Sequence, residues 1–168
     1  EWEGCIFVNL SDDPEPFEEA FAPLIDKFTR WDLPKLRIAH RIVYDIAANW
    51  KLVFQNYSEC YHCPALHPAL NRLTPFRNAW NDLEEGPFLG GPMQMEIEDG
   101  SMTMTGQRCA APLGGLEGED LNRVQYYTIS PNLLLSLHPD YVLTHRIDRL
   151  ATDRTRIICD WLFDTDAM

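Results

Sequence analysis

Nowhere does an apolar run approach the ~18 residues that a membrane-spanning helix needs, and the first residues hold no secretory-type apolar region. Basic residues are few: 14 Lys and Arg against 26 Asp and Glu leave a net charge of −12 and a pI near 4.7. Such a surface repels phosphate backbones and anionic lipid, so neither nucleic acid nor a membrane is expected as a partner. Cysteine is sparse and odd in number, with Cys5, Cys60, Cys63, Cys109 and Cys159 at irregular spacing. No disulfide framework is indicated, and a reduced, cytoplasmic chain is expected. Also missing are a Gly-x-Ser-x-Gly elbow, a P-loop, a dinucleotide fingerprint and any internal repeat.

What remains is ordinary globular material. The chain has 168 residues, 45% hydrophobic and 24% charged, enough for one domain that needs no covalent staples. It begins at Glu1 without an initiator Met, and strand-like segments lie at both ends. A single, partial domain over 1–168, a piece of something longer, is the expectation.

Residues 4–10 are rich in β-formers and read as a strand. Phe17, Phe21, Leu24, Ile25 and Phe28 recur at three- and four-residue steps, predicting an amphipathic helix with an acidic first turn. Residues 36–47 alternate and carry Ile38, Ile42, Val43 and Ile46, a second strand. Asn49 is a plausible N-cap for a helix bearing Trp50, Val53, Phe54, Tyr57 and Tyr61 on one face, expected to run until Pro64 stops it. Residues 71–91, with Pro75, Pro87 and Gly90-Gly91, read as a long irregular connection, 93–108 as a hairpin about Asp99-Gly100, and 111–120 as a loop. The last third is β: 123–129, 132–137, 141–148 and 155–163, joined by links short enough to make neighbours antiparallel. Ile157, Cys159, Trp161 and Phe163 would face the dry side, Arg156 and Asp160 the wet one. The class is α+β, an antiparallel sheet packed on helices.

Chemistry concentrates in 49–68. His62 and His67 stand five apart, a spacing that turns ~140° on an unbroken helix and would separate them. Pro64 and Pro68 break the helix and let both imidazoles point at one spot, within ~4–5 Å of each other if they share a metal. Glu59 precedes His62 by three residues, one turn back. Two imidazoles and an acid are the materials of a mononuclear metal site. The competing view makes His62 a helix C-cap and His67 a loop residue. A zinc site from Cys60, His62, Cys63 and His67 would crowd four ligands into eight residues. A Rieske half-site at Cys60-x-His62 has no Cys-x-x-His partner elsewhere. His145, beside Leu143 and Ile147, is expected in the core or a pocket wall; no role is assigned to His40 or His138.

The run Asn49-Trp50-Lys51, Gln55-Asn56, Glu59, Tyr61-His62 and His67 resembles the iron signature of the Rieske-type ring-hydroxylating oxygenases, oxidoreductases that include mono- and dioxygenases of aromatic compounds. The branch it is most similar to holds the choline, betaine and carnitine oxygenases, which share Glu-Cys-Tyr-His-Cys-Pro. Residues 4–10 look like the strand leaving the Rieske domain, and 130–163 like the catalytic core sheet. The resemblance implies a helix-grip fold, a curved antiparallel sheet packed on a long helix around a cavity. It implies Fe2+ held by His62, His67 and a carboxylate, with Glu59 bridging electrons from a neighbouring subunit's [2Fe-2S] cluster and Asn56 near the iron as a weak contact. It further implies O2 and a small aromatic or quaternary-amine substrate, a reductase or ferredoxin, and a homotrimer. The Rieske domain and the C-terminal helix that carries the family's carboxylate are expected to be absent, leaving a fragment inactive by itself. A metal-free module binding a hydrophobic ligand, with Leu133, Leu135 and Leu143 lining its cavity, is the alternative.

Overall fold

The computed structural model describes residues 1–167. Its frame is a six-stranded, fully antiparallel sheet. In chain order the elements are α1 (Phe17–Ala20), β1 (Arg37–Ile46), α2 (Trp50–Ser58), α3 (Cys63–Leu66), α4 (Pro68–Leu73), β2 (Phe88–Gln94), β3 (Arg123–Ile129), β4 (Leu133–Leu137), β5 (Val142–Ala151) and β6 (Arg154–Phe163). Spatially the order is β1-β6-β5-β4-β3-β2. The consecutive strands β2 to β6 are each paired with the next, while β1 closes on β6 across more than a hundred residues, Arg41 opposite Asp160.

Both faces of the central strands are covered, and side-chain alternation decides which residue goes where. Leu133, Leu135 and Leu137 of β4, with Tyr127 and Ile129 of β3, face a core built from the first 36 residues, notably Leu24, Phe28 and Trp31. Leu134, Ile147 and Ile157 face the other way, under Trp50, Val53, Phe54 and Tyr57 of α2. The expected wet face therefore exists only toward the β1–β6 edge, where Arg41 holds Asp160 and Arg156 holds Asp45. The helix laid on the sheet has nine residues, with α3 and α4 continuing its layer.

Several local expectations give way to tertiary context. Residues 4–10 form no strand; Trp2 and Cys5 close a tight turn through Glu3 and Gly4, both at positive φ, and Ile6, Val8 and Leu10 stand exposed. β-forming side chains make a strand only where a ladder partner is present, and both sheet edges run elsewhere. The helix expected over 17–28 stops after Ala20, because Pro23 removes a donor and disfavours helix before it. Its apolar residues still reach the core. The hairpin expected over 93–108 reduces to one bridge, Gly100 to Gln107.

The reverse happens at 88–91, read as the end of an irregular connection and found within β2. Gly90 and Gly91 are there for close approach. A Cβ on Gly90 would lie 2.0 Å from the Tyr126 carbonyl oxygen, and one on Gly91 2.2 Å from that of Trp80. The segment from Trp80 to Leu83 lies against β2, with Asp82 and Leu83 amides donating to the Gly90 carbonyl and the Gly90 amide to that of Leu83.

Candidate functional site

The Asn49 side chain accepts from the Lys51 amide and starts α2. The helix ends at Ser58, six residues before Pro64, because Glu59 is extended (φ −127, ψ 155) and its carboxylate takes the Tyr61 amide at 2.5 Å. A side chain that captures the next backbone donors competes with the helix. Two short helices follow, each with a proline in its first turn, where a missing N–H costs nothing. His62 is the N-cap of α3, and His67 is the joint between α3 and α4.

These breaks put the two imidazoles face to edge, centroids 5.2 Å apart at 81°. His62 Nδ1 lies 2.6 Å from Glu59 Oε1. Asn56 Nδ2 stands 3.4 Å from the same nitrogen, too long to compete. With Nδ1–H donated to a carboxylate, Nε2 keeps its lone pair, the tautomer a metal ligand needs. The carboxyl of Glu59 lies below the usual range: burial opposes its charge, but the hydrogen bonds and electrostatic attraction from His62 and the hydrogen bond from the Tyr61 amide outweigh it.

Glu59, His62, His67 and Asn56 all line one cavity of about 660 Å3 between α2–α4, the sheet and residues 79–91. Leu143 and His145 line it, as expected; Leu133 and Leu135 do not, because odd positions of β4 face the opposite core. Residues 111–121 lie away from it, with Leu113 and Leu116 in that same opposite core. His40 lies against Trp161 outside it. Spacing gave no hint of Tyr126, His138, Tyr141 or Trp80, which also form its wall. The one signal was register: His138 falls two residues after Ser136, on the cavity-facing parity of β4.

The donor set suits a divalent metal in part. Among the described residues no three His, Cys, Asp or Glu side chains converge in a metal-holding group, so the four-ligand zinc set does not form. The Cys60 thiol is pushed up to about 12, chiefly by burial and then by Cys63, which keeps it protonated and a poor ligand. Two imidazoles with a carboxylate behind one of them fit two positions of a three-ligand facial site.

Comparison with known proteins bears on the family and the fold. Residues 33–168 match the family model for the ring-hydroxylating alpha subunit, catalytic domain. The glycine betaine monooxygenase oxygenase subunit of Pseudomonas aeruginosa is 25% identical over 195 aligned residues, covering 98% of this chain but 45% of that protein. The carnitine monooxygenase oxygenase subunit of Acinetobacter baumannii is 31% identical over 70 residues, 40% of this chain and 19% of that protein. A solved quaternary ammonium Rieske monooxygenase superposes with a TM-score of 0.77 at 17% identity, over all of this chain and 42% of that one. Naphthalene 1,2-dioxygenase from Rhodococcus sp. superposes with a TM-score of 0.73 at 16% identity, over 99% and 45%. The chain thus spans less than half the length of these proteins.

Proposed function

The chain belongs to the ring-hydroxylating alpha-subunit family, within its catalytic domain, and we propose on that footing that it is the histidine-bearing part of a Rieske oxygenase. The whole protein would hydroxylate or demethylate a small aromatic or quaternary-amine substrate. His62 and His67 are two ligands of a mononuclear Fe2+, and the third, a carboxylate, comes from outside the described residues. When bound, the iron supplies dioxygen activation. Glu59 orients His62 and bridges electrons from the [2Fe-2S] cluster of a neighbouring subunit in a homotrimer, fed by a reductase or ferredoxin. Asn56 packs beside His62 without ligating. The five free cysteines suit the reducing cytoplasm, and no helix among the described residues is long and apolar enough to cross a membrane.

The observation that carries this reading is the short Glu59–His62 bond beside an edge-on His67, opening on a shared cavity. A metal-free carrier of a hydrophobic ligand would use the same cavity but has no need of that bond. The test is iron content of the full-length protein. His62→Ala and His67→Ala should each lose the mononuclear iron while keeping the cluster iron; retention of mononuclear iron in either variant would overturn the assignment.

A further inference from the structure

The turn that presents His62 is bounded by two cysteines. The Cys63 amide donates to the Cys60 carbonyl at 3.1 Å, and His62 between them is in the right-handed helical region (φ −79, ψ −21), so Cys60-Tyr61-His62-Cys63 is a β-turn. Such a turn holds its first and last Cα atoms within ~7 Å, and a disulfide needs ~4.4–6.8 Å. The side chains follow the backbone, with Cys63 within hydrogen-bonding reach of the Cys60 sulfur. Two intervening residues is also the spacing of redox dithiols. Both cysteines line the cavity beside His62, but access is uneven: Cys60 is half-buried and Cys63 is 5% exposed. A reagent in the cavity therefore meets Cys60 first, and Cys63 is placed to resolve the product. The other three cysteines lie elsewhere, Cys5 in the first turn, Cys109 with its thiol on Asp140 at 3.4 Å and Cys159 buried in β6.

His62 sits inside the ring that a Cys60–Cys63 bond would close, and Glu59 grips the same turn through the Tyr61 amide and His62 Nδ1. Metal–nitrogen distances tolerate only ~0.2 Å. Drawing two sulfurs from hydrogen-bonding contact to a bond of ~2.05 Å asks more of the turn than that. A disulfide across so short a ring is of the strained, readily reduced kind, suited to reversible use.

We propose that Cys60 and Cys63 are a redox modification site, which a small-molecule disulfide converts to an intramolecular disulfide, and that closing this ring loosens the metal held by His62 and His67. With glutathione disulfide the Cys60 sulfur attacks one glutathione sulfur, whose S–S bond breaks. A Cys60–glutathione mixed disulfide forms, and one glutathione leaves with the thiol proton. Cys63 then attacks the Cys60 sulfur, forming the Cys60–Cys63 bond and releasing the second glutathione with the second proton. The protein gives up two electrons and glutathione disulfide takes them. Loosening of metal rests on the His62–His67 assignment proposed above; the disulfide does not. Linkage makes the effect reciprocal, so bound Fe2+ opposes ring closure by the factor by which closure weakens Fe2+.

The experiment equilibrates the full-length protein, with and without saturating Fe2+, in anaerobic glutathione buffers of rising disulfide content, followed by alkylation and digestion. Burial holds the Cys60 thiol protonated at neutral pH, which slows exchange, so readings are taken at equilibrium. Trypsin cuts after Lys51 and Arg72, and the peptide 52–72 carries both cysteines. In oxidised protein it should be unalkylated and lighter by two hydrogens. Chelator competition should find mononuclear iron about tenfold weaker in the oxidised protein, restored by dithiothreitol, and the iron-loaded protein should need about tenfold more glutathione disulfide to close the ring. Cys60→Ser should show one iron affinity in both buffers; should it fail to fold, Cys60→Ala takes its place. Peptide 52–72 alkylated at both cysteines in excess glutathione disulfide, a stable glutathione adduct on Cys60, or an oxidised protein with unchanged iron affinity would overturn the proposal. Mononuclear iron retained in His62→Ala refutes the metal assignment, and the loosening falls with it, while the state of peptide 52–72 judges the dithiol by itself.

Discussion

His62 Nδ1 and Glu59 Oε1 lie 2.6 Å apart, three residues separated in sequence and joined across the break between α2 and α3. The bond favours the tautomer of His62 with its proton on Nδ1, leaving Nε2 free to accept, and His62 lines the cavity. Glu59→Ala should therefore loosen metal in the full-length protein by about 10–100-fold, the usual cost of removing a carboxylate behind a ligating histidine. Glu59→Gln, which keeps an acceptor oxygen, should fall between the two. Chelator competition reads both; equal iron retention in wild type and Glu59→Ala would sink the orienting role.

His138 also gives the fold a pH dependence. Its folded pKa is depressed to about 3, first by burial and then by His145, while the unfolded chain takes up its proton near ~6.5. Between those values the unfolded state binds more protons, so stability rises with pH and is lost as pH falls below ~6.5. By pH 5 that loss amounts to about 2 kcal/mol. The buried Tyr126 and Tyr141 phenols facing His138 do not titrate there, whereas His145, also depressed by burial, adds in the same direction. Urea melts at pH 7 and pH 5 should show His138→Gln losing about 2 kcal/mol less than wild type; parallel losses would contradict this.

Tyr57 anchors α2 to the sheet. Its buried hydroxyl donates to the Leu135 carbonyl at 2.8 Å and lies 2.8 Å from Ser136 Oγ. Tyr57→Phe leaves both without that partner and should cost about 1–3 kcal/mol in chemical denaturation. Because α2 leads directly into Glu59 and His62, iron retention should weaken as well. A change under ~0.5 kcal/mol would show that α2 is held by apolar packing alone.

Gly90→Ala should be among the worst small substitutions in the chain. The added methyl would meet the Tyr126 carbonyl in the paired strand, at a φ of +138 that side chains rarely adopt. Relief requires β2 to shift from β3, at a cost of about 3 kcal/mol or more. Gly114→Ala, with nothing near its Cβ position, is the control and should be close to neutral. Thermal melts of the two variants should separate widely; similar melts would mean that β2 yields easily.

Residue pattern by itself determined much of this protein. Alternation and short turns located β3 to β6, the Asn49 cap located the start of α2, and the proline-broken run after it marked the histidines. Those features are local, governed by backbone sterics and nearest-neighbour periodicity, so they are written in consecutive residues. What only the tertiary structure decided is which of two equivalent faces each strand residue meets. Leu135 went to the opposite core and His138 to the cavity because the first 36 residues covered one side of the sheet and α2 the other. The pair Gly90-Gly91 reads as a loop until a second backbone is seen lying against it, and residues 4–10 read as a strand until no edge is found to receive them. Contacts between distant segments settle such questions, and no window of neighbouring residues contains them.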